Sequence, residues 1–192
     1  MKKITTLALA VMFLAACSKD NEITPGTTGS NNSTSGTQKS QVARSFSATL
    51  NATADTDPSI PPTSCSGDLP GFSAPDFLIS GTSIHMGSIN LQSSRLHHNS
   101  CDLSFTTALL TTNVSGQLSA ANGDLIYYSG NDVVNVFSLL TQTGTTGDIT
   151  GVWTITGGTG RFAGASGSLT INGVVDFATN SFSCECVGTI NY

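Results

Sequence analysis

The sequence predicts an all-β domain of eight or nine antiparallel strands, set behind an export leader and a flexible tether. Three observations predict it. Short stretches alternate apolar and polar residues, as where Phe46, Ala48, Leu50 and Ala52 stand against Ser and Thr, and no useful length of chain carries a helical stripe. Glycine is abundant at 20 residues and only 10% of the chain is charged, which fits many turns between well-covered strands. The third observation is the run Gly157-Gly158-Thr159-Gly160-Arg161-Phe162-Ala163-Gly164-Ala165-Ser166-Gly167 between the alternating stretches Gly151–Thr156 and Ser168–Asn172. It reads as a hairpin whose glycines permit positive φ, with Gly164 and Gly167 suited to a bulge or sharp bend. Strands spaced in this way close into a barrel or pack as a sandwich, and the glycine-dense hairpins favour the barrel. Closure removes exposed edges, and about eight strands leave an interior filled by side chains or open to one small ligand.

In chain order, Met1-Lys2-Lys3 is a basic start and Ile4–Phe13 an apolar run broken by two threonines. It is too short to span a bilayer and reads as the hydrophobic region of a secretory signal. Leu14-Ala15-Ala16-Cys17 resembles the lipobox of bacterial lipoproteins. The resemblance implies cleavage after residue 16, with lipid carried by Cys17, and several acyl chains anchor far better than one. Ser18-Lys19-Asp20-Asn21-Glu22 is similar to the surface-export signal that follows the lipid cysteine in Bacteroidota lipoproteins. It implies display on the outer membrane's outer face, with the periplasmic face as the alternative. The rest of the segment 17–43 is Thr, Ser, Gly and Asn with almost nothing to bury. Such a segment cannot offset its own ordering entropy and reads as a tether, with a mean reach of roughly 25–30 Å.

The segment 44–192 is long enough for one domain with a core. Arg44–Asp55 reads as a half-buried strand. Thr56–Pro75 holds five of the six prolines and Cys65, and reads as a long loop or lid. Strands are then predicted at Asp76–Ile79, at Gly81–Leu91 continuing toward Arg95, at Cys101–Leu110 and at Val114–Ser119. Ala120-Ala121-Asn122-Gly123-Asp124 carries the strongest short hairpin signal. Leu125–Tyr128 returns, and the near-continuous apolar run Val133–Leu140 reads as a well-covered strand. Ile149–Thr156, Ser168–Phe177 and Phe182–Ile190 complete the set.

Five cysteines are present. With Cys17 set aside, Cys65, Cys101, Cys184 and Cys186 are an even number in an exported chain and are candidates for disulfides. Cys184 and Cys186 point to the same face of a strand, so a bond between them would be strained. Each is therefore expected to pair with one of Cys65 and Cys101, tying the last strand to two early loops. A Cys-x-Cys metal or redox site is the alternative, without an obvious second pair of ligands.

The stretch Gly151–Thr170 (GVWTITGGTGRFAGASGSLT) resembles the C-terminal half of the allene oxide cyclase and dirigent type of β-barrel, in its bacterial branch. Ser83–Gly87 (SIHMG) and Ala120–Tyr128 (AANGDLIYY) are similar to other recurring patches of those bacterial proteins. The similarity spans about Arg44–Tyr192. It implies a single eight-stranded antiparallel barrel of the wider calycin kind, and the trimeric plant members make a homotrimer conceivable. Their catalytic residues find no local match here, so none is carried over.

Chemistry-bearing residues are sparse. Seven basic residues, two of them in the leader, face twelve acidic ones, and from Arg44 onward the only basic residues besides histidine are Arg44, Arg95 and Arg161. That excludes nucleic acid as a partner. His97-His98-Asn99 beside Cys101 and Asp102 is the densest group of metal-capable side chains, yet neighbours on a strand face opposite ways, and it reads as a polar loop tip. His85 reads as a satisfied structural histidine before a general base. No Gly-x-Ser-x-Gly stands in a strand-turn-helix setting, and Gly157-Gly158-Thr159-Gly160 lacks the helix and Lys-Ser/Thr of a phosphate loop. Asp55, Asp57, Asp68 and Asp76 lack the spaced glycine and glutamate of a calcium loop. No catalytic residue, metal or cofactor is assigned. Trp153, Ile155, Phe162, Leu169 and Ile171 are core residues first, and His85, Trp153 and Phe162 are the candidates to line a pocket.

The functional expectation is a lipid-anchored module of the cell envelope that binds a partner or a small hydrophobic ligand and catalyses nothing. The rivals are a cyclase or isomerase that steers a hydrophobic substrate by shape, and a trimeric structural module. A cavity above roughly 300 Å³ favours the first two over the third. A buried carboxylate or histidine facing it favours the enzyme.

Overall fold

The computed structural model describes residues 41–192, so the leader, Cys17 and most of the tether lie outside the described residues. The strands are β1 (Ala43–Ala54), the short β2 (Thr63–Ser64), β3 (Ser66–Gly67) and β4 (Ser73–Ala74), then β5 (Phe77–Ser83), β6 (Gly87–Ile89), β7 (Arg95–Ser104) and β8 (Leu109–Ser119). β9 (Leu125–Asn135) is followed by a single helical turn, α1 (Phe137–Leu140). β10 (Thr146–Gly158), a 3-10 turn at Gly160–Phe162, β11 (Ser166–Asp176) and β12 (Ser181–Asn191) end the chain.

One sheet takes ten strands in the order β3-β7-β8-β9-β10-β11-β12-β1-β5-β6, and β5 pairs back onto β7. The sheet thus rings through the eight long strands, every neighbour antiparallel; β3 on β7 is a parallel exception outside the ring. The seam is narrow. β1 and β12 pair from Ala43↔Asn191 to Thr53↔Ser181, whereas β5 and β7 share only Phe77↔Leu96 and Leu78↔Arg95. Other groups carry the seam on in both directions. Ile79 N–H donates to Ser94 O at 3.0 Å, His98 N–H to Asp76 Oδ1 at 3.2 Å, and Arg95 pairs with Asp55.

The alternation read in the sequence sets the interior. Phe46, Ala48, Leu50 and Ala52 on β1 are buried, as are Leu169 and Ile171 on β11 and Phe182, Cys184 and Cys186 on β12. Burying these stripes against one another across a closed ring is the main stabilising term, since each large apolar side chain contributes about 1.5–3 kcal/mol.

One end is sealed by the glycine run. β10 and β11 pair from Thr146↔Asp176 to Ile155↔Gly167, and on its other side the register of β10 against β9 shifts between Ile155 and Gly157. The connection is a 3-10 turn that pushes Phe162 into the interior, where its ring meets Tyr192 edge-on at 4.9 Å. Gly160 has φ +56° and lies against the Asp124 carboxylate, so a side chain there would both strain the backbone and collide.

Five local expectations are corrected. Val133–Leu140 is not one strand: Asn135 Oδ1 accepts the Phe137 N–H at 3.0 Å, which turns the chain into α1. Cys101–Leu110 is broken by a turn in which Ala108 has φ +53°, and Gly81–Leu91 by a turn with Gly87 at φ +68°. His97-His98-Asn99 is not a loop tip but the middle of β7. The disulfide joins Cys65 to Cys101, with Cα atoms 4.6 Å apart, and Cys184 and Cys186 are both unbridged. The reason is positional. Cys184 and Cys186 face the interior, whereas Cys65 rides on a loop that β3 lays along β7 beside Cys101.

Candidate ligand cavity

At the end opposite the glycine run, a cavity of about 300 Å³ opens inside the ring. Its wall is largely apolar: Leu96, Leu110, Val134, Ile149, Val175 and Phe182 come from six different strands. Phe72, Ala74 and Pro75 reach it from the disulfide-bridged loop, Leu139 from α1 and Phe177 from the turn before β12. The predicted lid of 56–75 does therefore border an opening. Cys65–Cys101 fixes that loop to β7, and Cys65 N–H donates to Phe72 O at 3.0 Å.

Three buried polar side chains break the apolar lining, Asp132, Thr112 and His98, and the less buried Ser73, Asp176 and Asn180 also border the cavity. Asp132 and Thr112 are register partners on β9 and β8 and both are buried. On the other side Asp132 faces Gly151 of β10, and a Cβ at Gly151 would run into its carboxylate. Trp153, two residues further along β10, lies over Gly130 in the same manner. Two glycines thus make room for one carboxylate and one indole. Trp153 Nε1–H donates to Asp132 Oδ1 at 2.9 Å, and Tyr128 stacks on the indole at 4.2 Å with planes 9° apart.

His98 enters through a bulge. The register of β7 against β8 shifts between His98 and Ser100, so Asn99 and Ser100 both point outward while His98 and Cys101 both point inward. His98 Nδ1–H donates to Pro75 O at 2.7 Å, and the ring meets Phe77 edge-on at 5.8 Å. That bond leaves Nε2 as the acceptor.

Burial sets the protonation states. The Asp132 carboxyl is pushed up to about 6, the Trp153 hydrogen bond offsetting part of the rise. His98 is held below its ordinary value by burial, against the pull of Pro75 O and Asp76, so at neutral pH it is uncharged. Tyr128 is raised by burial and by the nearby Asp132 charge. The Cys186 thiol is raised by its contact with Cys184, 3.8 Å away, and by burial.

No protein-family model, curated protein or solved structure matches the chain.

The predicted pocket residues fare unevenly. His85 sits at the sealed end, half-buried, with Nε2 2.6 Å from Ser45 O and Nδ1 3.4 Å from Tyr192 Oη. Phe162 is buried there too, away from the cavity. Trp153 does not line the cavity but holds the carboxylate that does. The acidic residues of the proline-rich loop are engaged separately. Asp55 pairs with Arg95, Asp57 caps Ser59, Asp68 accepts the Phe105 N–H and Asp76 holds His97 at 2.6 Å. Among the described residues no three His, Cys, Asp or Glu side chains gather as a metal site. Asp132 falls just outside the strand that the apolar run Val133–Leu140 predicts. Carrying the alternation of Ile126 and Tyr128 onward by twos reaches 130, 132 and 134 and puts Asp132 inside. The inward turn of His98 has no signal in a period of two, because a bulge breaks that period.

Proposed function

We propose that the chain is a lipid-anchored lipoprotein of the outer membrane, displayed at the cell surface. In this reading its domain is an eight-stranded barrel of the allene oxide cyclase and dirigent type that binds a small, mostly apolar ligand. The observation that carries the binding reading is the cavity of about 300 Å³, walled mostly by aliphatic and aromatic side chains with three buried polar side chains, Asp132, Thr112 and His98, set among them. Pre-formed apolar cavities with few convergent polar groups are the usual small-molecule sites, and barrel mouths are one of their habitual places. Anchoring rests on the leader and Cys17, and the tether between Cys17 and β1 sets the domain off from the lipid.

Trp153 is the only tryptophan in the chain, and it contacts Asp132 of the cavity wall. Titrating the protein with octanol while following that emission tests the reading. A saturable change that disappears in Val134→Phe, which fills the cavity, supports it. A flat titration, or one indifferent to Val134→Phe, refutes it.

One observation favours a second reading, the isomerase or cyclase. Asp132 is a buried carboxyl raised to about 6 beside an apolar cavity, the state in which a carboxyl can both give and take a proton near neutrality. An Asp132-dependent product of unchanged mass, formed from an envelope lipid extract, would mark catalysis. If Asp132→Asn yields the same products as the parent, the catalytic reading fails and the binding reading stands.

A further inference from the structure

Resting on the binding reading, the inference concerns which end group the cavity accepts. Asp132 Oδ1 is occupied by Trp153, and Oδ2 has no hydrogen-bond partner among the described residues. Thr112 Oγ1 and His98 Nε2 have none either, His98 Nδ1 being spent on Pro75 O. No sealed side-chain nitrogen or oxygen among the described residues lacks a partner. These three atoms therefore open on accessible space, and all three residues line the cavity. Two of the atoms only accept hydrogen bonds when Asp132 is ionised and His98 neutral.

The charges around the cavity are of one sign. Its wall includes Asp132 and Asp176 and no Lys or Arg. Arg95, the basic residue of the seam, is paired with Asp55. An anionic end group placed beside Asp132 would leave two like charges in an apolar space with no counter-ion. A cationic end group would neutralise the buried Asp132, which has no ion-pair partner among the described residues, and its N–H groups would reach acceptors already in place. We infer that the cavity takes an apolar molecule bearing a protonated amine at its inner end, and discriminates against carboxylate and phosphate end groups.

The pH dependence follows from the groups that face Asp132. They are Trp153 on β10, which donates to it, Thr112 opposite it on β8, Tyr128 on its own strand and Cys186 on β12, which feel its charge, and His98 and Asp176, which line the same cavity. At pH 8 the tyrosine and Cys186 are protonated and His98 is neutral. Asp132, pushed up to about 6, is ionised at pH 8 and mostly protonated at pH 5. An alkylamine stays protonated at both. The preference for the amine is thus strong at pH 8 and weak at pH 5.

The experiment uses the full-length chain, Trp153 emission, and three probes of equal chain length: octylamine, octanol and octanoate. Octylamine is expected to bind tenfold or more tighter than octanoate at pH 8, with octanol between them. At pH 5 the gap narrows. Asp132→Asn, which keeps the shape and the acceptor for Trp153, is expected to abolish the amine preference while octanol binding persists and certifies the fold. His98→Gln is expected to keep the preference, because the charge remains. If octanol binds but octanoate binds as well as octylamine, the end-group inference is overturned and the cavity reading survives. If the preference persists in Asp132→Asn, the inference is likewise overturned. If none of the three binds, the cavity reading fails and the inference falls with it.

Discussion

Trp153 Nε1 and Asp132 Oδ1 stand 2.9 Å apart in the interior of the strand ring, a neutral donor holding a carboxylate that burial works to neutralise. The pair is diagonal across β9 and β10, and each member lies over a glycine of the opposite strand. A single hydrogen bond from an indole offsets only part of the cost of burying a charge. The fold therefore carries a destabilising group whose removal should strengthen it, the usual sign of a residue retained for a site.

The first prediction concerns stability against pH. A carboxyl at about 6 in the folded state and 3.8 in the unfolded chain binds more protons when folded, so stability falls as pH rises between those values. Above the upper value the penalty is complete, about 3 kcal/mol. Asp132→Asn, which keeps the bond to Trp153, should raise urea stability by up to that amount at pH 7.5 and by little near pH 3.5. Equal effects at both pH values would show that the carboxyl is not perturbed.

The second concerns the same titration seen optically. Trp153 emission should change with a midpoint near pH 6 in the parent and stay flat across pH 4–8 in Asp132→Asn. A midpoint shared by both proteins would assign the change to another group.

Gly151 supplies the third. A Cβ there meets both the Asp132 carboxylate and the Asn131 carbonyl. Gly151→Ala should cost about 1–3 kcal/mol by overpacking. Combining it with Asp132→Gly should recover part of the loss and not all, because the backbone carbonyl still crowds the site. Full additivity in a double-mutant cycle would mean the two positions do not touch.

The fourth concerns the cysteines. Alkylation of the non-reduced, denatured protein should label Cys184 and Cys186 and spare Cys65 and Cys101, and the folded protein should label neither pair quickly. Opening the 36-residue separation with Cys65→Ser and Cys101→Ser together should cost about 4 kcal/mol on the chain-entropy account. Peptide mapping that links Cys184 or Cys186 to Cys65 would contradict the structure.

The fifth concerns the anchor. Cys17→Ala should release the chain from the membrane fraction, since one residue is expected to carry all the lipid. Retention in the membrane would place the attachment elsewhere.

Particular residues show which parts of the molecule were legible in the sequence. The β1 stripe from Phe46 to Ala52 and the hairpin around Gly157–Gly167 were readable because strand alternation and glycine turns are local matters, settled within a few residues. Asp124 bracing Gly160 was not readable, since it joins two turns far apart in the chain. The cavity was largely hidden. Val134, Ile149 and Phe182 each look like core by composition, and only the ring decides that space remains between them.

By itself the sequence determined an all-β domain, its strand-and-turn rhythm and an interior of aliphatic stripes, because side-chain periodicity and φ preference are properties of short segments. Tertiary structure decided the rest. Pairing β5 with β7 closed the ring, the bulge after His98 turned that imidazole inward, and the approach of β3 to β7 gave Cys101 its partner. The pairing of Asp132 with Trp153 and the place of both opposite glycines depend on strand register, which is fixed only when the whole sheet meets itself.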